Sequence, residues 1–220
     1  SEVTIRKDLA SLEKNGQLLR RYGGAISLPK EVVSDELSYK VSSRKVSLAT
    51  AAASLIRDHN RIVIDSGSTT GALIKQLNNK SGLVVMTNSL HVANALNELE
   101  SEPTLLMTGG TWDTHSESFQ GQVAESVLRA YDFDQLFIGA DGIDLERGTT
   151  TFNELVGLSK VMAEVSREVI VMVESEKVGR KIPNLELAWQ DIDVLITDGD
   201  LDTDIIERIE SHDVRVIISQ

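Results

Sequence analysis

The 220-residue sequence contains no cysteine, which excludes disulfides, thiolate metal ligands and a cysteine nucleophile. It also lacks any apolar run near the ~20 residues that a transmembrane helix needs, and it shows no signal peptide. Both absences fit a protein of the reducing cytoplasm without a membrane partner, and we predict that location.

Histidine is scarce, and its spacing gives no sign of a metal centre. The sequence contains His59, His91, His115 and His212, which match no metal-ligand motif. It also lacks the Gly-x-Ser-x-Gly elbow of serine hydrolases, a P-loop and a dinucleotide-binding fingerprint. We therefore predict no metal, no cofactor and no catalytic residues.

Negative charge dominates the sequence except at its beginning. The formal net charge is −12, and the hydrophobic fraction of 41% suffices for a sizeable core. Residues 1–30 nevertheless contain six lysines and arginines against three acidic residues, so that the remaining chain carries −15. Because an acidic surface repels nucleic acid, any contact with DNA should be confined to the basic start.

Residues 61–74 show the most informative pattern of the sequence, a strand followed by a polar turn and a helix. Three β-branched residues, 62–64, predict a buried strand, and the apolar residues from Ala72 onward predict a helix. The polar turn between them spans residues 65–70. Such a turn in an α/β protein presents backbone N–H groups to an anion, often a phosphate, and its hydroxyls add donors. The alternative is a turn whose serine or threonine merely caps the following helix.

Short apolar strands alternate with helices along the rest of the chain. This alternation predicts the α/β class, with a doubly wound, mostly parallel sheet. The predicted strands are 61–64, 83–87, 104–107, 135–138, 168–173, 193–197 and 214–218. The predicted helices are 44–57, 90–99, 122–130, 153–166 and 202–211, besides the one that begins at Ala72.

Polar clusters follow nearly every predicted strand at its carboxyl end. The turns are residues 65–70, 87–89, 108–110, 139–142 and 174–180. Open α/β sheets bind ligands in the crevice at that edge, so five converging turns favour a small polar ligand with an anionic group. Lys160, Lys177 and Arg180 are the cations that we expect nearby. The loop 111–121, which contains Trp112, shows no period, and we predict that it closes over the crevice as a lid.

The start of the chain predicts a helix and a hairpin. An apolar stripe indicates a helix over 1–15, and a short strand over 17–22 leads into a tight turn at Gly23-Gly24. The chain begins without Met, and nothing precedes this helix for its stripe to pack on. We therefore expect the natural protein to have a further N-terminal portion.

The residue order of this segment, TIRKDL followed by LE..G.L.R.YGGA, resembles the recognition helix and wing of the winged helix-turn-helix in the DeoR family of bacterial sugar-metabolism repressors. The resemblance implies that the helix lies in the major groove while cations of the wing reach phosphates. The residues expected at DNA are Ser1, Thr4, Arg6, Lys7, Arg20 and Arg21. The alternative is an ordinary basic surface helix and hairpin.

Motifs in the remaining chain extend this resemblance to the sensor domain of DeoR-type repressors. They are DSGSTT, MTNSLHVANAL, TGG, FQGQ, GADGID, TTFNE and K.GR, in that order. Within the family the pattern is most similar to regulators of glucitol (sorbitol) operons. The resemblance implies a sensor fold similar to ribose-5-phosphate isomerase and a phosphorylated sugar or sugar alcohol as effector. It also implies a homo-oligomer, a dimer or tetramer, that releases operator DNA when the effector binds.

The same resemblance divides the chain and names its effector residues. It implies a partial DNA-binding domain at 1–26, a linker at 27–43 and a sensor domain at 44–220. The phosphate would be held by Gly67, Ser68, Thr69 and Thr70. The rest of the predicted site comprises Asp65, Thr87, Asn88, Gly109, Gly110, Gly121, Asp141, Glu154, Lys160 and Lys177. The segment 174–179 departs from the usual Asp-x-Ser-Lys-Phe-Gly of the family, which leaves the contacts around Lys177 open.

Catalysis is the main alternative for a fold of this kind. Aldose–ketose isomerisation needs a carboxylate base and an acid or cation at the carbonyl oxygen, for which Asp141, Glu154 and Lys160 are candidates. The Gly-rich, Lys-bearing loop by which such isomerases resemble one another is absent after Gly142, where residues 143–147 stand instead. We therefore predict a regulator and not an enzyme. A phosphosugar-binding module unrelated to transcription is a further alternative.

Overall fold

The computed structural model describes residues 2–14, 18–21, 24–27, 42–180, 182–199 and 201–220. The chain divides into two compact units, one ending at Val41 and one running from Ser42 to Gln220. This division falls inside the linker predicted at 27–43, most of which lies outside the described residues. No helix in the described part is long and apolar enough to span a membrane.

The first unit contains a helix and a two-stranded hairpin. Helix α1 spans Glu2–Lys14, and strands β1 (Leu18–Arg21) and β2 (Gly24–Ser27) pair antiparallel, with Arg21 opposite Gly24. The predicted helix and strand are confirmed. Gly24, which was predicted in the tight turn, begins the second strand, and Gly23 lies outside the described residues.

A seven-stranded parallel sheet forms the centre of the second unit. The strands of this unit are β3 (Arg61–Ile64), β4 (Val84–Thr87), β5 (Thr104–Met107), β6 (Thr111–Asp113), β7 (Ser118–Gln120), β8 (Phe133–Ile138), β9 (Gly142–Asp144), β10 (Gly148–Thr151), β11 (Ser166–Met172), β12 (Asn184–Ala188), β13 (Val194–Thr197) and β14 (Arg215–Ile218). The main sheet has the order β14-β13-β11-β8-β3-β4-β5, and all of its neighbouring pairs are parallel. The predicted doubly wound sheet is confirmed.

Helices cover both faces of this sheet. They are α2 (Ser43–Leu55), α3 (Ser68–Gly71), α4 (Leu90–Asn97), α5 (Gln122–Leu128), α6 (Gly157–Glu164) and α7 (Thr203–Glu210), with 3-10 turns at Ile74–Asn79, Ser175–Lys177 and Trp189–Asp191. Successive side chains of a strand point to opposite faces. Ile62 and Ile64 accordingly pack in the core layer with α2 and α4, whereas Val63 packs in the layer with α5 and α6.

Two local predictions are wrong, and one small sheet was not predicted. The helix expected from Ala72 begins earlier, at Ser68, as a single turn, and a 3-10 helix follows it. The loop expected at 111–121 contains the hairpin β6–β7. Strands β9, β10 and β12, which form a small antiparallel sheet, were not predicted, because β9 has only three residues and β10 reads Gly-Thr-Thr-Thr without any apolar alternation.

Candidate functional site

The turn after β3 lies at the carboxyl edge of the sheet, where the effector crevice is predicted. Gly67 has a φ of 136° and precedes α3, while Gly67 and Ser68 are exposed. Thr70 is fully buried, and its hydroxyl lies 2.8 Å from the Asp65 carbonyl oxygen and 3.0 Å from that of Gly67, to which it donates. The hydroxyl of Thr70 therefore closes the turn, which leaves the exposed backbone of the turn and Ser68 to meet a ligand.

Lys45 brings a cation to this turn. Its ammonium donates to the Ser68 hydroxyl across 2.7 Å from the first turn of α2, where Ser42 caps the helix by accepting from the Lys45 N–H at 3.2 Å. Because α3 has only four residues, its dipole is short, and Lys45 supplies the full positive charge beside the backbone N–H groups. Sequence reasoning missed Lys45, since 23 residues separate it from Ser68.

Asn88 fixes the geometry of the turn. Its side-chain oxygen accepts from the Ser66 N–H at 3.0 Å, and its amide donates to the Asp65 carboxylate at 2.9 Å. Asn88 is fully buried, and so is Thr87, whose hydroxyl accepts from the Ser89 N–H at 3.1 Å. Thr87 and Asn88 thus lie at the predicted crevice, where their side chains hold the neighbouring turns in place.

Three glycines in the turns that follow have positive φ angles, which other residues rarely adopt. Gly109, Gly110 and Gly121 have φ angles of 59°, 115° and 91°. A Cβ atom added at Gly110 would lie 2.6 Å from the carbonyl oxygen of Gln120, so this position tolerates only glycine. At Gly109 and Gly121 an added Cβ would meet no heavy atom within 4 Å. These two glycines therefore border open space at the crevice.

Asp141 follows β8, the strand next to β3, and is held by two donors. The Thr151 hydroxyl and the Phe152 N–H reach the same carboxylate oxygen of Asp141, at 2.8 and 3.1 Å. Burial raises the pKa of Asp65 to about 6, hydrogen bonds from Ser66 and Asn88 offset part of the rise, and the negative charge of Asp141 adds to it. The charge of Asp141 is thus one of the groups that Asp65 senses.

Glu186 on β12 is a third carboxyl group of this region, and sequence reasoning missed it. Burial and, to a smaller extent, the charge of Asp65 together raise the pKa of Glu186 to about 8, although a hydrogen bond from Ser159 offsets part of the rise. The Ser159 hydroxyl lies 2.7 Å from the Glu186 carboxyl. The alternation Leu185-Glu186-Leu187 was the available signal, because it indicates a strand with one polar face.

The three predicted cations and Glu154 differ in how far they are buried and in the groups they contact. Lys177 is half-buried, and its ammonium donates to the Ala140 carbonyl at 3.2 Å, beside Asp141. Glu154 and Lys160 are exposed, on the segment before α6 and on α6 itself. Arg180 forms an ion pair with Glu176, 3.8 Å apart. Lys177 is therefore the predicted lysine that lies next to Asp141.

The predicted lid is the β6–β7 hairpin. Trp112 is 41% exposed, and its ring packs edge-on against Phe119 with centroids 5.4 Å apart. The Asp113 carboxylate accepts from the N–H and hydroxyl of Ser116, and these bonds hold the pKa of Asp113 below its ordinary value although its partial burial opposes them. The hairpin joins the crevice through the Phe119 N–H, which donates to the Asn88 carbonyl at 2.8 Å.

The residues expected at DNA lie in the first unit. Thr4, Arg6 and Lys7 are exposed on α1, and Ile5 is 61% exposed beside them. Arg20 and Arg21 belong to β1, while Ser1 lies outside the described residues. Within the described ranges, no group of three or more histidine, aspartate or glutamate side chains could hold a metal ion.

Two family models match the chain. One, described as the DeoR C terminal sensor domain, matches residues 40–199, and the other, described as a DeoR-like helix-turn-helix domain, matches residues 1–31.

Curated relatives match nearly the whole chain. It is 41% identical to a putative aga operon transcriptional repressor of Escherichia coli O157:H7, over 99% of this chain and 83% of the relative. It is 33% identical to the HTH-type transcriptional regulator GlpR of Haloferax volcanii, over 99% of this chain and 86% of the relative. It is 26% identical to the HTH-type transcriptional regulator IolR of Bacillus subtilis, over 98% and 87%.

Solved structures are similar in fold to part of this chain. Ribose 5-phosphate isomerase A of Methanocaldococcus jannaschii is 20% identical, with a TM-score of 0.43 over 61% of this chain and 53% of that one. The eIF2B beta structure of Chaetomium thermophilum is 12% identical, with a TM-score of 0.50 over 69% of this chain and 49% of that one. At these identities the likeness concerns the fold alone.

Proposed function

The chain belongs to the DeoR family of transcriptional regulators, and from this premise we propose that it represses a sugar or sugar-alcohol operon until a phosphorylated sugar or sugar alcohol binds its crevice. It is a regulator and not an enzyme, because its relatives are named transcriptional regulators and its first residues match a DeoR-like helix-turn-helix. We place it in the cytoplasm, where operator DNA is accessible, and infer that it acts as a homo-oligomer.

The contact between Lys45 and Ser68 is the observation that carries the proposal. It puts a positive charge 2.7 Å from the hydroxyl of an exposed turn whose glycine lets a ligand approach the backbone. Charge-assisted hydrogen bonds to an oxyanion are about twice as strong as neutral ones, so a phosphate group gains most at this position. The charge of Asp141 repels a phosphate, whereas the carboxyl groups of Asp141 and Glu186 can both form hydrogen bonds with sugar hydroxyls. The two sides of the crevice thus suit the two ends of a phosphosugar.

The identity of the sugar stays open to experiment. The motif pattern favours glucitol, whereas the relative that is 41% identical is named for the aga operon. Hydroxyl stereochemistry is recognised through individual contacts, which motifs do not encode. Glucitol 6-phosphate therefore remains a prediction within the broader class of phosphorylated sugars and sugar alcohols.

Calorimetry with matched ligands tests this function. We expect glucitol 6-phosphate, or another hexose 6-phosphate from a thermal-shift panel, to bind, and its unphosphorylated form to bind far more weakly. Equal affinities for the phosphorylated and unphosphorylated members of a pair would contradict the proposal. Inorganic phosphate alone serves as the control for contacts that do not involve the sugar.

A further inference from the structure

The beginning of α2 contacts the ends of four parallel strands of the main sheet. Residues 42–47, which we call the α2 start, comprise the capping serine and the first residues of the helix. The contacts join Lys45 to Ser68 after β3 (2.7 Å), Ser42 to Glu174 after β11 (3.4 Å), Arg44 to Asp198 after β13 (3.8 Å) and Ser47 to Ser219 after β14 (2.7 Å). Because the carboxyl ends of parallel strands meet at one edge, a short piece of helix reaches all of them. The α2 start therefore connects loops on both sides of β8 in the order of the sheet.

Two lysines of the effector site are linked to the α2 start. Lys45 belongs to it and contacts the turn at which we propose the phosphate. Lys177, a predicted contact of the sugar, lies between two residues that the α2 start touches. The Lys177 N–H donates to the Glu174 carbonyl oxygen at 2.9 Å, and the Glu176 carboxylate lies 4.0 Å from the Arg44 guanidinium. A ligand that moves either lysine therefore also acts on the α2 start.

Three contacts of the α2 start are long and therefore weak. The Ser42–Glu174 hydrogen bond of 3.4 Å exceeds the usual O–H···O range of about 2.5–3.0 Å. Arg44 lies 3.8 Å from Asp198 and 4.0 Å from Glu176, which are distances of loose ion pairs. Asp198 is 7% exposed, and its oxygen nearest to Arg44 accepts no hydrogen bond from any described residue. A buried carboxylate in this state is sensitive to the position of a cation, so a small shift of the α2 start changes its free energy.

We propose that the α2 start transmits effector binding to the linker and thereby lowers operator affinity. The inference rests on the proposed function. A phosphate at Ser68 competes for the Lys45 ammonium, because an oxyanion is a stronger acceptor than a hydroxyl. The helical turn that carries Lys45 then changes position, and the contacts of Ser42 and Arg44 change with it. Ser42 is the first residue of the second unit, so the change occurs where the linker joins this unit.

Arg44 allows transmission to be tested apart from ligand binding. Lys45 contacts the phosphate turn, whereas the neighbouring Arg44 lies against the carboxylates of Asp198 and Glu176. Arg44→Met keeps most of the apolar stem and removes the charge. Arg57→Met is the matched control, because Arg57 is exposed two residues beyond the other end of α2. The first variant removes contacts of the α2 start, and the second removes the same charge from a position outside it.

Fluorescence anisotropy on the intact protein measures the coupling between effector and operator. The probe is glucitol 6-phosphate, or the hexose 6-phosphate that the thermal-shift panel selects. At saturating probe the wild type and Arg57→Met should lose operator affinity by about 5- to 150-fold, the usual range of coupling between two sites. Arg44→Met should lose only about 3-fold or less, while calorimetry finds its affinity for the probe within about 2-fold of wild type.

The outcomes separate this inference from the proposed function. Wild-type coupling in Arg44→Met would overturn the inference alone. A loss of probe affinity in Arg44→Met as large as in Lys45→Met would do the same, because Arg44 would then be a ligand contact. A wild type that binds no phosphosugar would overturn the proposed function, and the inference with it.

Hydrogen exchange provides a second test that needs no DNA. Amide exchange reports local opening, so it detects a change at the α2 start directly. The same probe should alter exchange at residues 45–48 and 174–177 and leave residues 53–56, at the other end of α2, unchanged. Slower exchange at residues 66–70 alone would show that the phosphosugar binds without affecting the α2 start. That result would overturn the transmission and leave the proposed function intact.

Discussion

The ammonium of Lys45 and the hydroxyl of Ser68 are joined by a hydrogen bond of 2.7 Å. This bond ties the first turn of α2 to the turn that follows the central strand. The same helix start contacts the ends of two further strands. The Ser42 hydroxyl donates to the Glu174 carboxylate after β11 at 3.4 Å, and Arg44 lies 3.8 Å from the Asp198 carboxylate after β13. A phosphate at Ser68 would therefore also contact the helix with which the second unit begins.

Replacing Lys45 should weaken binding of phosphorylated effectors selectively. Lys45→Met removes a charge-assisted hydrogen bond to the phosphate, and a hydrogen bond to a charged group contributes about 1.5–3 kcal/mol. Calorimetry should show an affinity about 10- to 100-fold lower for the phosphosugar, with little change for the unphosphorylated sugar. Lys75→Met is the matched control, since Lys75 is an exposed lysine on the 3-10 helix. Equal losses in the two variants would exclude a direct role for Lys45.

Glu186 should make stability depend on pH. Its pKa is raised to about 8 from an ordinary value of 4.5, so the folded protein binds more protons than the unfolded chain between about pH 4.5 and 8. The free energy of unfolding must then fall as the pH rises through this window. Glu186→Gln keeps an acceptor for Ser159 but cannot ionise.

The variant Glu186→Gln should therefore melt close to wild type at pH 4.5 and higher than wild type at pH 9. A difference of a few degrees is expected, because about 1 kcal/mol moves the melting temperature of a protein of this size by about 2–4 °C. Glu207→Gln, at an exposed position of α7, should show no such dependence. A constant difference in melting temperature across the pH range would show that ionisation of Glu186 is not the cause.

Lys7 should contribute to DNA affinity without reading sequence. In the intact protein Lys7→Ala should weaken operator binding and lower the slope of log K against log salt by about 0.9, the value for one phosphate contact. Thr4 and Arg6, if they reach base edges, should instead change operator preference by about 1–3 kcal/mol for each base contact. Fluorescence anisotropy over a range of salt concentrations separates the two effects. An unaltered slope for Lys7→Ala would remove this residue from the phosphate contacts.

Effector and operator should weaken each other's binding by the same factor. Coupling between two sites is reciprocal, so a phosphosugar that lowers operator affinity must itself bind less tightly in the presence of saturating operator. Fluorescence of Trp112 should report effector binding, because this side chain is partly exposed on the hairpin at the crevice. Trp112→Phe leaves the buried Trp189 as the only tryptophan and should abolish the signal. An effector affinity that operator DNA leaves unchanged would mean that the two sites are uncoupled.

Much of the fold could be predicted from the sequence, because it depends on local residue patterns. Apolar runs such as 62–64 specify buried parallel strands, and their alternation with amphipathic helices implies two covered faces. The small sheet of β9, β10 and β12 could not be predicted in this way. Residues 148–151 read Gly-Thr-Thr-Thr, and their strand exists because β9 and β12 pair with it on either side. Hydrogen-bond partners from elsewhere in the chain, and not local pattern, stabilise it.

The sequence by itself determined the α/β class, the parallel sheet, the helix and hairpin at its start, and the position of the polar turns at the strand ends. These features follow from periodicity and from the chain direction, which brings the carboxyl ends of parallel strands to one edge. Only the tertiary structure decided which polar groups face one another there. Lys45 reaches Ser68 from another helix, Glu186 approaches Asp65 from an unpredicted strand, and Thr70 turns its hydroxyl inward. The reason is physical: burial, charge and hydrogen bonding between side chains depend on distances through space, and these distances are set by the packed sheet.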